Sequence, residues 1–253
     1  MNNLQIDLIQ YCIFDKLDFV TQIKFRQTCK WLNRVQIHNM CYNIDRKYLN
    51  RLSDKILVNY NKLRYLYASY NTNITNINHM TNLQVLYTYG NYGLDDNGIK
   101  NLNLIQLYAS QNPKITNINH MTNLKILYAF GDSGIDDNSI KNLNLIKLYA
   151  SYNRKIKNVN HMSNLQILIA YSDKCGIDDN GIKNLNLIEL HVWNNPKITN
   201  VSHMTNLQIL IACGDKCGID DNGIKNLNLI ELNASNNQKI TNVNYMTNLR
   251  KQY

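Results

Sequence analysis

Histidines at a regular interval are the first residues in this sequence whose type and spacing could support chemistry. They stand at positions 79, 120, 161 and 203, and Tyr245 takes the same place in a fifth copy. If the copies stack as strands of a sheet, equivalent positions two strands apart lie ~10 Å from each other. A zinc ion with Zn–N bonds of ~2.0–2.1 Å needs its donors within ~4 Å of one another. The interval therefore predicts surface or turn-bonding histidines and no metal site.

Pairs of adjacent aspartates are the second pattern, and they raise the question of calcium binding or paired-carboxylate catalysis. The pairs occupy residues 95–96, 136–137, 178–179 and 220–221. The same interval isolates each pair from the next. Each pair also precedes a short apolar run, where an aspartate can accept hydrogen bonds from the free amides of a helix start. We therefore expect helix caps at these positions.

The cysteines complete the residues with chemical potential. The chain has 6 cysteines, of which Cys213 and Cys217 are close together and Cys175 is the counterpart of Cys217. This spacing is too sparse for a zinc site. No signal-peptide pattern precedes them, because Asp7 interrupts the first apolar stretch. The expected state is a set of small buried thiols in a reducing compartment.

Other signatures of catalysis, cofactor binding or membrane insertion are missing from the sequence. It contains no Gly-rich phosphate loop, nucleophile elbow or His-Glu-x-x-His motif. No apolar run approaches the ~18 residues of a membrane span. The net charge of +9 is distributed without a basic run, which disfavours nucleic acid as the partner. We expect a soluble, non-catalytic protein without metal or cofactor, located in the cytoplasm or nucleus.

Two alternating phrases divide most of the chain into repeats. The phrase Met-Thr/Ser-Asn-Leu ends every 41 or 42 residues, at Leu83, Leu124, Leu165, Leu207 and Leu249. Asn-Leu-Asn-Leu-Ile falls about midway, with its second leucine at Leu104, Leu145, Leu187 and Leu229. The unit is therefore ~20–22 residues long, within the range of leucine-rich repeats.

Each unit predicts one short strand followed by a turn. The pattern Leu-x-x-Leu-x-small-x-x-Asn places leucine and the small residue inward and their neighbours outward. The asparagine turns the chain, because its side chain can bond to backbone groups at the bend. Nine strands are predicted to start at Tyr65, Val85, Gln106, Ile126, Lys147, Ile167, Glu189, Ile209 and Glu231, and a tenth near Leu249.

The two unit types are predicted to return to the next strand in different ways. One has an apolar residue at every third position, as at Ile115, Ile118 and Met121, which indicates extended or 3₁₀-like turns. The other, such as residues 134–143, has the aspartate pair and predicts a helix of one to two turns. The fold class is an α/β solenoid with a parallel sheet on its concave face and these segments on its convex face. No capping unit follows the last repeat, so we expect a frayed or partner-covered C-terminus.

Residues 63–253 resemble leucine-rich-repeat proteins, with about nine units. The Ile-Asp-Asp-x-Gly-Ile-x-x-Leu phrase is similar to the cysteine-containing subtype often found in F-box proteins. Residues 41–62 are interpreted as a linker with a degenerate half-repeat at residues 53–57. The fold alone does not name a partner.

The first 40 residues contain the phrases Leu-x-x-Asp-Leu (residues 4–8) and Ile-Phe-x-x-Leu (residues 13–17), followed by Phe25 and by Cys29-Lys30. With this motif, residues 1–40 resemble an F-box, the helical module that docks to a Skp-type adaptor and through it to a cullin ubiquitin ligase. Apolar residues recur there at helical spacing. Gln5 replaces the proline of the motif, and Trp31 stands one residue before the expected aromatic. The resemblance implies adaptor contacts by Leu4, Leu8, Ile9, Ile13, Leu17, Phe25, Cys29 and Trp31. The alternative is a module that only caps the first repeat. The abundance of Asn, Ile, Lys and Tyr, as in proteins from AT-rich genomes, together with an F-box and repeats would suit an amoeba or a giant DNA virus infecting one.

Aromatic residues dominate the outward strand positions and form the predicted target-binding surface. Its residues are Tyr65, Tyr67, Tyr87, Tyr89, Tyr108, Tyr128, Phe130, Tyr149, Tyr171 and Trp193. Tyrosine and tryptophan are favoured at binding hot spots, although side-by-side packing could also explain the ladder. Ser69, Ser110 and Ser151 alternate with the larger residues of one row, and Glu189 and Glu231 make the second half mildly acidic.

Three functions follow, in order of preference. The first is a substrate receptor of a cullin-type ubiquitin ligase, with an unidentified target protein on the concave face. The second is a binding scaffold or decoy without a link to ubiquitin. The third is nucleic-acid binding, which should weaken steeply with salt.

Overall fold

The computed structural model describes the backbone of residues 39–40 and the chain over residues 52–252. The chain divides into two compact units, Met1–Tyr108 and Ala109–Tyr253. The predicted F-box-like module, apart from the backbone of residues 39–40, and all of residues 41–51 lie outside the described residues. The boundaries at residues 40 and 62 therefore stay predictions.

The described part of unit 1 contains four parallel strands that pair in chain order. They are β1 (Asn39–Met40), β2 (Tyr65–Tyr67), β3 (Val85–Tyr87) and β4 (Gln106–Tyr108). One-turn helices precede β2 and β4, namely α1 (Asp54–Leu57) and α2 (Asp96–Ile99). The segment between β2 and β3 has turns in place of a helix.

Unit 2 continues the same pattern through seven parallel strands in chain order. They are β5 (Ile126–Tyr128), β6 (Lys147–Tyr149), β7 (Ile167–Ile169), β8 (Glu189–His191), β9 (Ile209–Ile211), β10 (Glu231–Asn233) and β11 (Lys251–Gln252). The helices are α3 (Asp137–Ile140), α4 (Asp179–Ile182) and α5 (Asp221–Ile224). Each unit has the fold of a leucine-rich-repeat solenoid. All nine predicted strand starts are confirmed. The strand predicted near Leu249 is β11, which begins at Lys251.

Within each unit the inward residues form an apolar core, as the repeat predicts. In one repeat of unit 2, for example, Leu145, Leu148 and Ala150 have no exposed surface. The segment with the three-residue period is turn and extended chain, and its Ile156 and Met162 are also fully buried. None of the helices in the described part of the chain is long and apolar enough to cross a membrane.

The first aspartate of each pair caps a helix, which confirms the prediction from sequence. Side chains of Asp95, Asp136, Asp178 and Asp220 accept a hydrogen bond from the amide three residues ahead, at 2.8–3.0 Å. At Asp136 burial alone would raise the pKa of the carboxyl, but hydrogen bonds from Ser139 and Asn138 outweigh it and the pKa is lowered.

The second aspartate has a different role, which sequence reasoning did not identify. Its carboxylate accepts hydrogen bonds from the next repeat; Asp179, for example, bonds to the amide of Thr199 at 2.8 Å and to its hydroxyl at 2.6 Å. Asp54, Asp137 and Asp221 make the equivalent backbone contacts at 2.7–2.8 Å. Hydrogen bonds from Thr241 are the main cause that lowers the pKa of Asp221. These carboxylates therefore link adjacent repeats on the helix side.

Buried asparagines close the turns after alternate strands. The side-chain oxygen of Asn153 accepts hydrogen bonds from the amides of Lys155 (2.8 Å) and Ile156 (3.2 Å). Its amide group donates to the carbonyls of Ala129 (2.8 Å) and Ile135 (3.1 Å) in the preceding repeat. The role predicted from sequence is thus confirmed, and the same side chain also joins two repeats.

Removal of one such asparagine should destabilise the array. In Asn195→Ala, the carbonyls of Ala170 and Ile177 and the amide of Lys197 lose their partner in a fully buried site. Each buried group left unsatisfied costs about 1–3 kcal/mol, so we expect an overall loss of about 2 kcal/mol or more, measured by urea unfolding.

The matched control is Asn206→Ala. Asn206 is exposed and makes no side-chain bond within the described residues, so its substitution should change the unfolding free energy by less than about 0.5 kcal/mol. Equal urea midpoints for the two variants would contradict the stabilising role of Asn195.

Candidate functional site

The tyrosine ladder consists of the outward tyrosines of consecutive strands: Tyr67, Tyr87 and Tyr108 in unit 1, and Tyr128 and Tyr149 in unit 2. In unit 1 the ring centroids of Tyr67 and Tyr87 are 5.7 Å apart, and those of Tyr87 and Tyr108 stack at 4.1 Å. In unit 2 Tyr128 and Tyr149 stack at 3.9 Å with planes 9° apart. All five are half-buried. Stacking of the tyrosines is thus confirmed inside each unit.

The outward row continues in unit 2 with different residues. Ile169 is 7% exposed, so this outward position is buried between its neighbours. Next to it, a carboxylate oxygen of Glu189 lies 2.7 Å from Nε2 of His191. Glu231 pairs with Lys251 at 3.3 Å. Both glutamates of the half predicted to be mildly acidic thus have a basic neighbour.

The small residues of the second outward row are buried, which corrects the interpretation from sequence. Ser69, Ser110 and Ser151 are 2–7% exposed, whereas the aromatic residues at the same position after other strands are half-buried or exposed. Their hydroxyl oxygens accept hydrogen bonds at 3.0–3.2 Å from the amides of Tyr89, Phe130 and Tyr171. The serines therefore fix the backbone that carries the aromatic residues of this row.

A second group of rings lies at the carboxyl ends of strands β5–β8 in unit 2. This strand-end aromatic cluster contains Phe130, Tyr152, Tyr171 and Trp193. Tyr152 meets Phe130 and Tyr171 edge to face, with centroids 5.6 Å apart in both cases. Tyr171 and Trp193 are 5.9 Å apart. Tyr152 is 40% and Trp193 47% exposed, so the cluster offers ring surface to a partner.

Tyr152 was missed by the sequence analysis because it lies in a turn and not in a strand. Its φ is 59°, in the left-handed region, as at the equivalent Gln111, Asn194 and Asn236. A bulky residue pays about 1–2 kcal/mol for this conformation. The sequence did contain a signal for Tyr152. The residue immediately before the turn asparagine is tyrosine in two copies, Tyr70 and Tyr152.

A glycine makes room for the last ring of the cluster. Gly214 has φ 91°, and a Cβ atom at this position would lie 2.8 Å from Cδ1 of Trp193. The next turn can therefore approach the indole closely only because it carries no side chain there.

Tyr152 separates two notches in this surface. Phe130, Asp132, Tyr152, Arg154 and Lys174 contribute to the first notch. Tyr152, Tyr171, Asp173, Trp193 and Lys216 contribute to the second notch. Of these charged groups, Lys216 and Asp173 lie 3.7 Å apart as an ion pair. Sequence reasoning did not identify the three cations.

The repeated histidine position bonds to the backbone of the preceding repeat. Nε2 of His161 lies 3.0 Å from the carbonyl oxygen of Ile140, and the hydroxyl of Tyr245 donates to the carbonyl of Ile224 at 2.9 Å. This confirms the turn-bonding role for these two copies. Across the described residues, no group of three or more His, Cys, Asp or Glu is placed to hold a metal ion.

Three cysteines belong to the described residues, and all three are free thiols. Cys175 and Cys217 are buried, as expected, and Cys213 is half-buried. Sγ of Cys175 lies 3.6 Å from the carbonyl oxygen of Ala150, the role that asparagine has in the alternate turns. Burial raises the pKa of Cys175 to about 11 and also raises that of Cys213.

The predicted adaptor-binding residues lie outside the described residues. These are Leu4, Leu8, Ile9, Ile13, Leu17, Phe25, Cys29 and Trp31. Their role stays a prediction from the F-box resemblance.

Comparisons with known proteins found similar folds only. No family model matches the chain. No curated protein matches it either. An internalin from Listeria monocytogenes shares 20% identity over 79% of this chain and 76% of its own, with a TM-score of 0.49. A leucine-rich-repeat protein from Leptospira interrogans shares 16% identity over 88% of this chain and 72% of its own, with a TM-score of 0.41. The fold assignment therefore rests on the repeats and strands of this chain itself.

Thiol labelling should separate the buried and half-buried cysteines. At pH 8 a thiol with a pKa of about 11 is only ~0.1% thiolate, and Cys175 is also shielded from solvent. We expect iodoacetamide to label Cys213 of the native protein faster than Cys175, as measured by peptide mass spectrometry. Unfolding in guanidinium should remove the difference. Equal native rates would show that Cys175 is accessible.

Proposed function

We propose that this chain is a non-catalytic protein-binding repeat protein and that a target protein docks on the tyrosine ladder. The observation that carries the proposal is the stacking, inside each unit, of half-buried tyrosines at one outward position of consecutive strands. Leucine-rich-repeat arrays use their exposed sheet for binding. Of the remaining predicted contacts, Tyr65, Tyr89 and Phe130 lie on or just after strands that carry the ladder. Tyr171 and Trp193 lie just after β7 and β8.

The tyrosines suit a protein partner for physical reasons. Stacked rings have few conformations to lose, so a partner that covers them pays little entropy. Tyrosine combines a large apolar ring with a polar hydroxyl, a combination enriched at hot spots. The apolar core already holds the strands from the other side through residues such as Leu127 and Leu148, which have no exposed surface.

We extend this proposal to a role as substrate receptor of a cullin-type ubiquitin ligase. Residues 1–40 would dock a Skp-type adaptor, and the repeats would hold the target in the cytoplasm or nucleus, of a host cell if the source is a virus. The support is the F-box resemblance directly before the repeats. A scaffold or decoy with residues 1–40 as a cap is the alternative, and nucleic-acid binding is the less favoured one.

Loss of the ladder in unit 2 should weaken target binding. The double variant Tyr128→Ala and Tyr149→Ala removes a stacked pair, and we expect at least a tenfold loss of the captured target, since hot-spot tyrosines contribute about 1–2 kcal/mol or more each. Quantitative mass spectrometry of proteins captured from cell lysate measures this loss.

The control for this experiment is Tyr245→Ala. Tyr245 is an exposed tyrosine that bonds to the helix side of the preceding repeat and lies off the strands. Its substitution should leave capture unchanged, and circular dichroism should show that both variants are folded. Undiminished capture by the ladder variant would move the binding site to another surface.

Adaptor docking is tested by pull-down of the purified full chain with a Skp-type adaptor. Leu8→Asp should abolish capture, because it places a charge in the apolar surface that the F-box resemblance assigns to the adaptor. Asn3→Asp adds the same charge without removing an apolar residue and should retain capture. If the folded wild-type chain captures no adaptor, residues 1–40 act as a cap and the ligase role is wrong.

A further inference from the structure

The first notch of the strand-end aromatic cluster is cationic and apolar at once. The rings of Phe130 and Tyr152 line it together with the side chains of Arg154 and Lys174. Within the described part of the chain, neither cation forms an ion pair. Asp132 is the one carboxylate among its lining residues, so positive charge exceeds negative charge there. An anionic group could thus gain two cationic partners.

The second notch is close to neutral. Its cation, Lys216, is already paired with Asp173 at 3.7 Å. What remains is aromatic surface from Tyr152, Tyr171 and the 47% exposed Trp193. An apolar or aromatic side chain therefore suits this notch better than a charged one.

We propose that the two notches together bind an acidic peptide segment of a partner protein, with a carboxylate in the first notch and an apolar or aromatic side chain in the second. This rests on the protein-binding function proposed above and specifies the chemistry of the partner. The planar guanidinium of Arg154 can bind a carboxylate with two parallel hydrogen bonds. The ring of Tyr152 lies between the two side chains of the peptide.

The dimensions fit an extended peptide. Centroids of Phe130 and Tyr171 each lie 5.6 Å from that of Tyr152, so one ring separates the notches. Side chains at positions i and i+2 of an extended chain lie on the same face, roughly 6–7 Å apart. A glutamate followed two residues later by a phenylalanine matches this spacing.

The backbone of Tyr152 gives an independent reason to assign a role to its ring. Three of the equivalent turns place the smaller polar side chains of Gln111, Asn194 and Asn236 in the same left-handed conformation, and a fourth places Tyr70 there. Tyrosine is strained there, and its ring is still 40% exposed. Strain at an exposed aromatic side chain is more typical of ligand contact than of stabilisation of the fold.

A peptide fits this surface better than a nucleic acid. The rings meet at 82° and 90° about Tyr152, so they form no parallel platform for successive bases. Aspartates 132, 173 and 215 recur at the same position of alternate turns. Their charges would repel a continuous phosphate backbone, whereas a peptide can place a single carboxylate beside Arg154 and Lys174.

The test is a fluorescence titration of the full chain in a Trp31→Phe background. The chain has 2 tryptophans, so the indole of Trp193 is then the sole reporter. The probe is the blocked peptide acetyl-Gly-Ser-Glu-Ser-Phe-Gly-amide, and the matched probe has glutamine in place of glutamate. We expect a saturable change with the glutamate peptide below about 1 mM and roughly tenfold weaker binding of the glutamine peptide.

Variants identify the groups responsible. Arg154→Gln with Lys174→Gln should weaken the glutamate peptide roughly tenfold and remove the preference over glutamine. Tyr152→Gln, which introduces the residue present at position 111, should weaken both peptides. The control Lys141→Gln with Lys183→Gln removes the same charge from exposed helix-end lysines and should change nothing.

The outcomes separate this proposal from the general binding function. Equal affinity for the two peptides, or no saturable response up to about 5 mM, overturns it. Tighter binding of a ten-nucleotide oligothymidine than of the glutamate peptide also overturns it in favour of nucleic acid. Peptide binding by the Tyr128→Ala and Tyr149→Ala variant supports a site separate from the ladder. If that variant binds the peptide but captures less target, the loss of capture tests the ladder and leaves the peptide proposal intact.

Discussion

The structure depends on how each turn satisfies its buried backbone groups. A strand of three residues is followed by a bend whose carbonyls and amides are shielded from water, and such groups are costly without partners. Asn153 and Asn195 each accept hydrogen bonds inside their own turn and donate two to the repeat before. Because one side chain serves two repeats, each of these turns is stabilised by the repeat before it.

The other repeat type meets the same constraint with shorter side chains. In the turns between the asparagines, the hydroxyl of Ser133 and the thiol of Cys175 lie near the carbonyl of the preceding strand, at 3.1 and 3.6 Å. The hydroxyl oxygen of Ser133 also accepts a hydrogen bond from the amide of Ile135 in its own turn, at 3.4 Å. On the helix side, carboxylates such as Asp179 link one repeat to the next. Stability thus comes from contacts between adjacent repeats, as expected for a solenoid.

Most of the fold could be predicted from the sequence because periodicity reports burial directly. Strand starts, helix caps and the turn asparagines follow from local rules that recur in every copy. The burial of Ser110 and the second role of Asp179 did not, since both depend on backbone atoms about 20 residues away. Tyr152 and Arg154 were missed for a related reason. Alternation predicts the direction of side chains only within strands, and these two residues lie in the turn where Tyr152 has a left-handed φ.

Equivalent positions of the repeats can be compared within this one chain. The comparison shows which residue types the fold requires and which it does not. At the central strand position every copy from Leu66 to Leu232 is leucine with no exposed surface. At the next position five tyrosines are followed by Ile169, His191, Ile211 and Asn233, while strand length and register stay the same. Asparagine is a poor strand former and still occupies this position. Because the strand accepts such different side chains there, the fold does not require tyrosine. The run of five therefore needs an explanation outside the fold, and contact with a partner supplies one.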